Sequence, residues 1–425
     1  MTPGEVMVTF AELRDARPNL WESAADDILD VSKQAERTAD NIHANGVDPL
    51  VDHWPDHTGT LARDSLTSCA NRMVNAGILA RGVATALDTL EDAIGVAQRM
   101  LVSATTFATS RNLTVDENGT VAVPDDTSAE DYYRAILWRD EAQSMIDDAV
   151  EAASQADRSC LDAITACSVD PDSVSSDTAR EKQAQAVQAA LKEMRNLLPD
   201  GQPPEEVRRW WAGLTPEQQL QLERAVPVEL ADLDGLSKDV KRELTDSGRG
   251  YNPVETVRFA IANAENDELD IFGNNCANFV SHSLDAGGLG EKMDAWAGTL
   301  DDDNWGRSAA GEGDWIPGLE GKTHTKSWFN SDAQREFFLS NGGQTVGLDQ
   351  AMPGDVVYFN YAQPHESGDF SHHAAVVTGV LPDGQVLYTQ HTPGAANYSV
   401  QDRLPMIEQG EGAQTITIVR PKETW

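Results

Sequence analysis

Cysteine is scarce in this chain, with four in 425 residues: Cys69, Cys160, Cys167 and Cys276. Thiols so few and so scattered argue against a disulfide framework. No pair has zinc-ligand spacing and no His/Cys cluster accompanies them, so no metal and no cofactor is expected. Cys160 and Cys167 lie two helical turns apart, roughly 10 Å by helix rise, too far to bridge within one helix. A pairing of Cys69 with either of them stays open. Basic residues are also few, 32 against 70 acidic ones, for a formal charge of -38. That balance argues against nucleic acid as a partner and repels anionic membrane surfaces. Long apolar runs are missing, none reaching the roughly 20 residues of a membrane span, so no transmembrane segment is expected. Met1 to Phe10 has no basic stretch leading into an apolar core. An ordinary signal peptide is therefore not expected, which leaves secretion by a non-classical route or, alternatively, a cytoplasmic protein.

What is present divides the chain. A length of 425 residues exceeds one compact core, so several domains are expected. Trp21, Ala25, Ile28, Val31, Ala35, Thr38 and Ile42 follow each other at three- and four-residue steps. After a turn near Asp52–Gly59 a second stripe runs Met73, Ala76, Ala80, Val83, Leu87, Leu90, Ile94, Ala97, Leu101. Two amphipathic helices joined by a short loop predict an antiparallel hairpin. Leu113–Val115 and Val121–Val123 flank Asn118-Gly119 and predict a small β-hairpin. A third helix carries Ala135, Trp138, Ala142, Met145, Ala149, Ala152, Ala156, Cys160, Ala163 and Cys167, which makes both cysteines core residues. A fourth covers Ala179–Leu198. Thr215-Pro216 then caps a connector helix, with Trp210 and Trp211 as packing anchors.

Beyond Tyr251 the periodicity changes. The phrase Gly273-Asn274-Asn275-Cys276-Ala277-Asn278-Phe279-Val280-Ser281 puts one thiol just after a Gly/Asn turn, at the start of an amphipathic run that Gly287-Gly288 ends. A helix N-terminus favours the thiolate, hence a nucleophile. The stretch from 285 to 343 is Gly/Trp/Asp-rich and loop-like, with Trp296, Trp305, Trp315 and Trp328. Strands follow at Asp355–Phe359, His373–Val380, Gln385–Thr392 and Gln414–Arg420. Helices first and a small antiparallel sheet after is an α+β arrangement. A thiolate at Cys276 needs a general base, His373, with His372 competing because alternation sends neighbours to opposite faces. A third residue must orient the base, and His391 on the adjacent strand is the choice. The backbone amide of Cys276 is the expected oxyanion donor. His282, His324 and His365 are further imidazoles of lower rank.

These phrases resemble an amidase domain family related to the NlpC-type and CHAP cysteine peptidases. The pattern Asn-Asp-Cys-Thr-Asn-Phe-Val-Ser-Gln appears as Asn274 to His282, followed by Ala286-Gly287-Gly288. Ser327-Trp328-Phe329-Asn330, Pro353-Gly354-Asp355, His373 to Thr378 and Gln390-His391-Thr392 follow in the family's order. The resemblance selects His373 over His372 and agrees with His391. It adds Asn275, Asn278, His372, Gln390 and Trp328 as supporting residues. Three positions depart from the pattern: Asn275 for Asp, Ala277 for Thr and His282 for Gln. The helix-loop-helix around Trp54-Pro55-Asp56, with Gly59, resembles WXG-type secretion domains of actinobacterial proteins, although Asp56 stands where that family has Gly.

The chain is thus expected to be multidomain, an all-α hairpin and bundle followed by a papain-like α+β domain. Residues 1–125 form the WXG-type hairpin, 126–200 its long-helix extension, 201–249 a helical connector and 250–425 the amidase domain. The function implied is cysteine-dependent amide hydrolysis through a thioester, on peptidoglycan peptides or another amide. A papain-like acyltransferase and a catalytically vestigial secreted binding protein are the alternatives. A secretion-machinery or WXG-type partner and type VII-like export are implied by the hairpin's resemblance alone.

Overall fold

The computed structural model describes residues 7–246, 248–293, 298–301, 303–307, 323–361, 370–402 and 414–425. Trp296, Trp315 and His365 lie outside them. The chain divides into two compact units, Met1–Leu197 and Leu198–Trp425, so the connector at 201–249 falls in the second. Among the described residues no helix is long and apolar enough to cross a membrane.

The first unit holds helices α1 (Phe10–Asp15), α2 (Asn19–Ile42), α3 (Asp48–His53), α4 (His57–Ser110), α5 (Tyr132–Cys167) and α6 (Ser176–Asn196). The chain turns between α3 and α4, where the Asp56 side chain accepts from the Gly59 amide at 2.9 Å. Only glycine fits there, because a Cβ at 59 would sit 1.8 Å from the Trp54 carbonyl oxygen. Strands β1 (Thr114–Val115) and β2 (Val121–Ala122) pair antiparallel, as the Asn118-Gly119 turn predicts.

The seams differ from the predicted stripes. On α2 the buried positions are Ala25, Ser32 and Ala39, whereas Val31 is 60% exposed. A seven-residue step with small side chains lets α2 approach α4 closely, and Ser32 Oγ donates to the Gly77 carbonyl at 2.8 Å. On α4, Val74, Ile78 and Leu79 are buried, while Met73, Ala76, Ala80, Val83 and Leu87 are only half-buried. This helix packs against α2, α5 and α6 at once, so no single stripe describes it. On α5, Ala135, Ala142, Ala149, Ala156 and Ala163 recur at every seventh residue and are all buried, with Ile146 and Ala153 in place of Met145 and Ala152. Cys160 and Cys167 are buried there, and none of the four cysteines is in a disulfide.

One buried carboxyl works against this packing. Burial, reinforced by the nearby Glu91 and Glu22, pushes Asp92 up to about 7, and Arg99 only partly opposes it. Its Oδ2 is buried without a hydrogen-bond partner. A raised carboxyl contributes stability that is full below its unfolded value near 4 and lost as pH rises through about 7. Asp92→Asn should therefore stabilise the helical unit at pH 8 by on the order of a few kcal/mol and give almost no gain at pH 4. Helical circular dichroism against temperature at the two pH values checks this, and equal gains at both would refute it.

The second unit begins with α7 (Pro204–Gly213), α8 (Pro216–Ala225), α9 (Pro227–Asp232) and α10 (Lys238–Thr245). Thr215 caps α8 in a reciprocal pair with Gln218, and Trp211 is buried against Trp210, centroids 5.9 Å apart. Next come α11 (Pro253–Asn263), α12 (Cys276–Ala286), α13 (Lys326–Phe329) and α14 (Ser331–Ser340). Six strands follow: β3 (Gln344–Val346), β4 (Val356–Tyr361), β5 (Ser371–Val380), β6 (Val386–Gln390), β7 (Ala395–Ser399) and β8 (Gln414–Arg420). They form one antiparallel sheet in the order β3-β8-β4-β5-β6-β7. The short edge strands β3 and β7 were not among the predicted strands.

Both faces of the sheet are buried. Tyr358, Ala374 and Val376 join Cys276, Phe279, Val280, Trp305, Trp328 and Phe338 in one core. Phe359, Ala375, Val377 and Tyr388 form the other. The period-2 alternation of β4 and β5 divides these residues between the two cores.

Candidate active site

Cys276 is the first residue of α12 and is 3% exposed. The turn before it is held by side chains rather than by an ordinary N-cap. Asn275 Oδ1 accepts from the Phe272 amide at 3.0 Å, and its Nδ2 donates to the Phe272 carbonyl at 2.6 Å and to Asp270 Oδ1 at 2.9 Å. Asn274 Oδ1 accepts from the Cys276 amide at 3.2 Å. Asn278 Nδ2 donates to the Leu269 carbonyl at 3.0 Å, while its Oδ1 accepts from Trp328 Nε1 at 2.8 Å.

Deeper in, Ser281 Oγ donates to the Trp328 carbonyl and accepts from Trp305 Nε1 and Gln334 Nε2 at 2.8–3.0 Å. Gln334 also binds the Ala277 carbonyl and accepts from the Tyr358 hydroxyl. Burial pushes Tyr358 well above its ordinary value, so it remains a neutral donor. A buried network satisfied at this many points fixes the rotation of α12 and with it the direction of the thiol.

Cys276 borders a cleft of about 440 Å³, also lined by Phe272, Asn274, Phe329, Tyr361 and His372. Phe272 and Phe329 stack at 4.6 Å on one side, and Tyr361 and His372 lie 4.5 Å apart.

His373 is 7% exposed on β5, opposite Phe359 of β4, with ring centroids 5.8 Å apart. Its Nε2 lies 2.7 Å from Gln390 Oε1. Gln390 Nε2 donates to the Pro393 carbonyl at 2.9 Å, which fixes which end of the amide faces the histidine. Nε2 of His373 must therefore be the donor, which leaves Nδ1 as the basic nitrogen of the neutral ring.

His372 has a glutamine of its own, with Nε2 2.7 Å from Gln414 Oε1. The alternation argument for choosing between the two histidines fails locally. Asn360 pairs with Ser371 and Phe359 with His373, so His372 is the extra residue of a β-bulge. It is His372 that borders the cleft beside Cys276.

His391 does not orient His373 through either ring nitrogen in this arrangement. Its Nδ1 lies 2.7 Å from the Ala264 carbonyl and its Nε2 2.9 Å from Asp270 Oδ1. Its ring stacks on Phe279 at 5.7 Å. Adjacent residues at the end of β6 face opposite ways, so Gln390 reaches the base and His391 reaches the nucleophile loop. Among the other imidazoles, His282 stacks on Phe259 and meets the edge of Trp328. His324 bonds Thr323 Oγ1 at 2.9 Å.

Sequence reasoning missed Asp270 and Gln334. Asp270 and His391 are 121 residues apart, and no local pattern marks either contact.

Neither the curated proteins nor the solved structures include a match to this chain. Residues 250–418, within the second unit, match the family described as Putative amidase domain, a likeness that suggests amide hydrolysis there.

Proposed function

We propose that the second unit is a papain-like cysteine amidase in which Cys276 is the nucleophile, His373 the general base and Gln390 the residue that orients it. The observation that carries this reading is the Gln390–His373 bond through Nε2, which leaves Nδ1 for the thiol proton. The thiol gives that proton to Nδ1, and the helix N-terminus favours the thiolate. Sulfur attacks the amide carbonyl, and the imidazolium passes its proton to the nitrogen as the C–N bond breaks. A free amine leaves and a thioester remains. Water, deprotonated by His373, then attacks the thioester, breaking the C–S bond to yield a carboxylate and regenerate the thiol group. The Cys276 amide serves the oxyanion once Asn274 Oδ1 turns away from it.

Peptidoglycan peptides are the proposed substrate, and the helical unit is the proposed delivery module for type VII-like export. The α2–α4 hairpin, with its break at Trp54-Pro55-Asp56, supports the second idea. Incubating the full chain with purified peptidoglycan should release new amines. Prior iodoacetamide should stop that release, with the label found on Cys276. Release that persists in the fully labelled protein would defeat the cysteine mechanism. Label without any release would keep the nucleophile and discard this substrate.

A second reading of the base rests on the cleft that His372 and Cys276 both line. With Gln414 as its orienting partner, it would serve the same chemistry.

A further inference from the structure

We infer that His391 is a positioning residue for the nucleophile: with Asp270 it forms a latch that holds the turn Phe272–Cys276 in place. This rests on the reading of Cys276 as the nucleophile. The latch ties the end of β6 to Ala264 and Asp270, which lie 127 and 121 residues earlier in the chain. The Ala264 carbonyl at the end of α11 and the Asp270 carboxylate can only accept, and they face the two nitrogens of His391 at 2.7 and 2.9 Å. Each ring nitrogen thus faces an oxygen that accepts, and the ring is held between the two. The ring is 4% exposed and lies against Phe279, one turn along α12 from the thiol.

Asp270 passes the constraint on. The oxygen that accepts from His391 also accepts from Asn275 Nδ2 at 2.9 Å. Asn275 is 2% exposed and clamps the amide and carbonyl of Phe272 with the two ends of its side chain. Because the Phe272 amide can only donate to Oδ1, Nδ2 is committed to Asp270. An aspartate at 275 would instead set a second carboxylate against Asp270. One strand end thus serves both halves of the site, with Gln390 aligning the base and His391 aligning the loop that presents the thiol.

The test is a cycle of Asp270→Ala, His391→Gln and the double variant in the full chain. Amide hydrogen exchange over residues 269–279 is read beside peptides of β4 and β5. Each single variant should speed exchange in 269–279 about tenfold and leave the sheet peptides unchanged. The double variant should be no worse than either single one, because both break the same link. With an amide substrate, kcat should fall while KM stays within about twofold.

The idea is overturned if either single variant exchanges like the parent, if the two effects multiply, or if exchange rises throughout the sheet. Asp270→Asn, which keeps the size of this half-exposed side chain, is the variant to use if Asp270→Ala does not fold. Hydrogen exchange needs no turnover, so the latch can stand or fall separately from the amidase reading, which iodoacetamide and amine release decide.

Discussion

Cys276→Ala should lower amide cleavage by at least about a thousandfold, to the level that binding alone can sustain. Cys276 is the one cysteine of the second unit, since Cys69, Cys160 and Cys167 all belong to the first. His373→Ala should cost about a hundredfold to ten-thousandfold, the usual contribution of a positioned acid–base group. Combining the two should add nothing, since a base without its nucleophile has no proton to move. His372→Ala should stay within about tenfold of the parent. If His372→Ala proves the crippling change and His373→Ala the mild one, the base is His372 with Gln414 behind it. Cleavage that survives Cys276→Ala would end the cysteine reading altogether.

The second large effect concerns stability. Asp355 is completely buried and holds Arg249 Nη1 at 3.1 Å and Arg420 Nε and Nη2 at 2.9 and 2.8 Å, and it also accepts from the Met352 amide. The carboxylate ties β4 to β8 and to the segment entering α11. Asp355→Ala would leave two guanidinium groups facing each other, one of them buried. Breaking such a pair from one side costs about 3–5 kcal/mol, a large part of a domain's usual 5–15 kcal/mol. Arg258, whose bond to Asp232 is exposed, offers the contrast: its replacement by alanine should cost less than about 1 kcal/mol. Opening free energies from hydrogen exchange of β4 and β5 would measure both. A loss under about 1 kcal/mol in Asp355→Ala would mean that the buried charge is dispensable.

The sequence made the helices legible where local chemistry controls them. Thr215-Pro216 starts α8, the Asn118-Gly119 turn sets the β-hairpin, and Cys276 opens α12, all from signals within a few residues. Seams were legible only to within one residue, because Ser32 and Gly77 are buried for closeness rather than for hydrophobicity. The place of Cys276 at a helix start and of His372 and His373 on a strand was also readable. Their partners were harder, because a bulge at His372 upsets alternation and because Asp270 acts on a residue far along the chain. Asn275, an anomaly against the resemblance, has a local reason in the carboxylate it faces.

The alanine that recurs at every seventh position of α5 has a thermal consequence. Each alanine removes little apolar surface from water, so this seam holds by proximity of backbones more than by area. The heat capacity gained on melting scales with that apolar area. A seam of methyl groups therefore lowers the helical unit's heat-capacity change per residue and flattens its stability curve, so that warming and cooling erode it slowly on either side of the maximum.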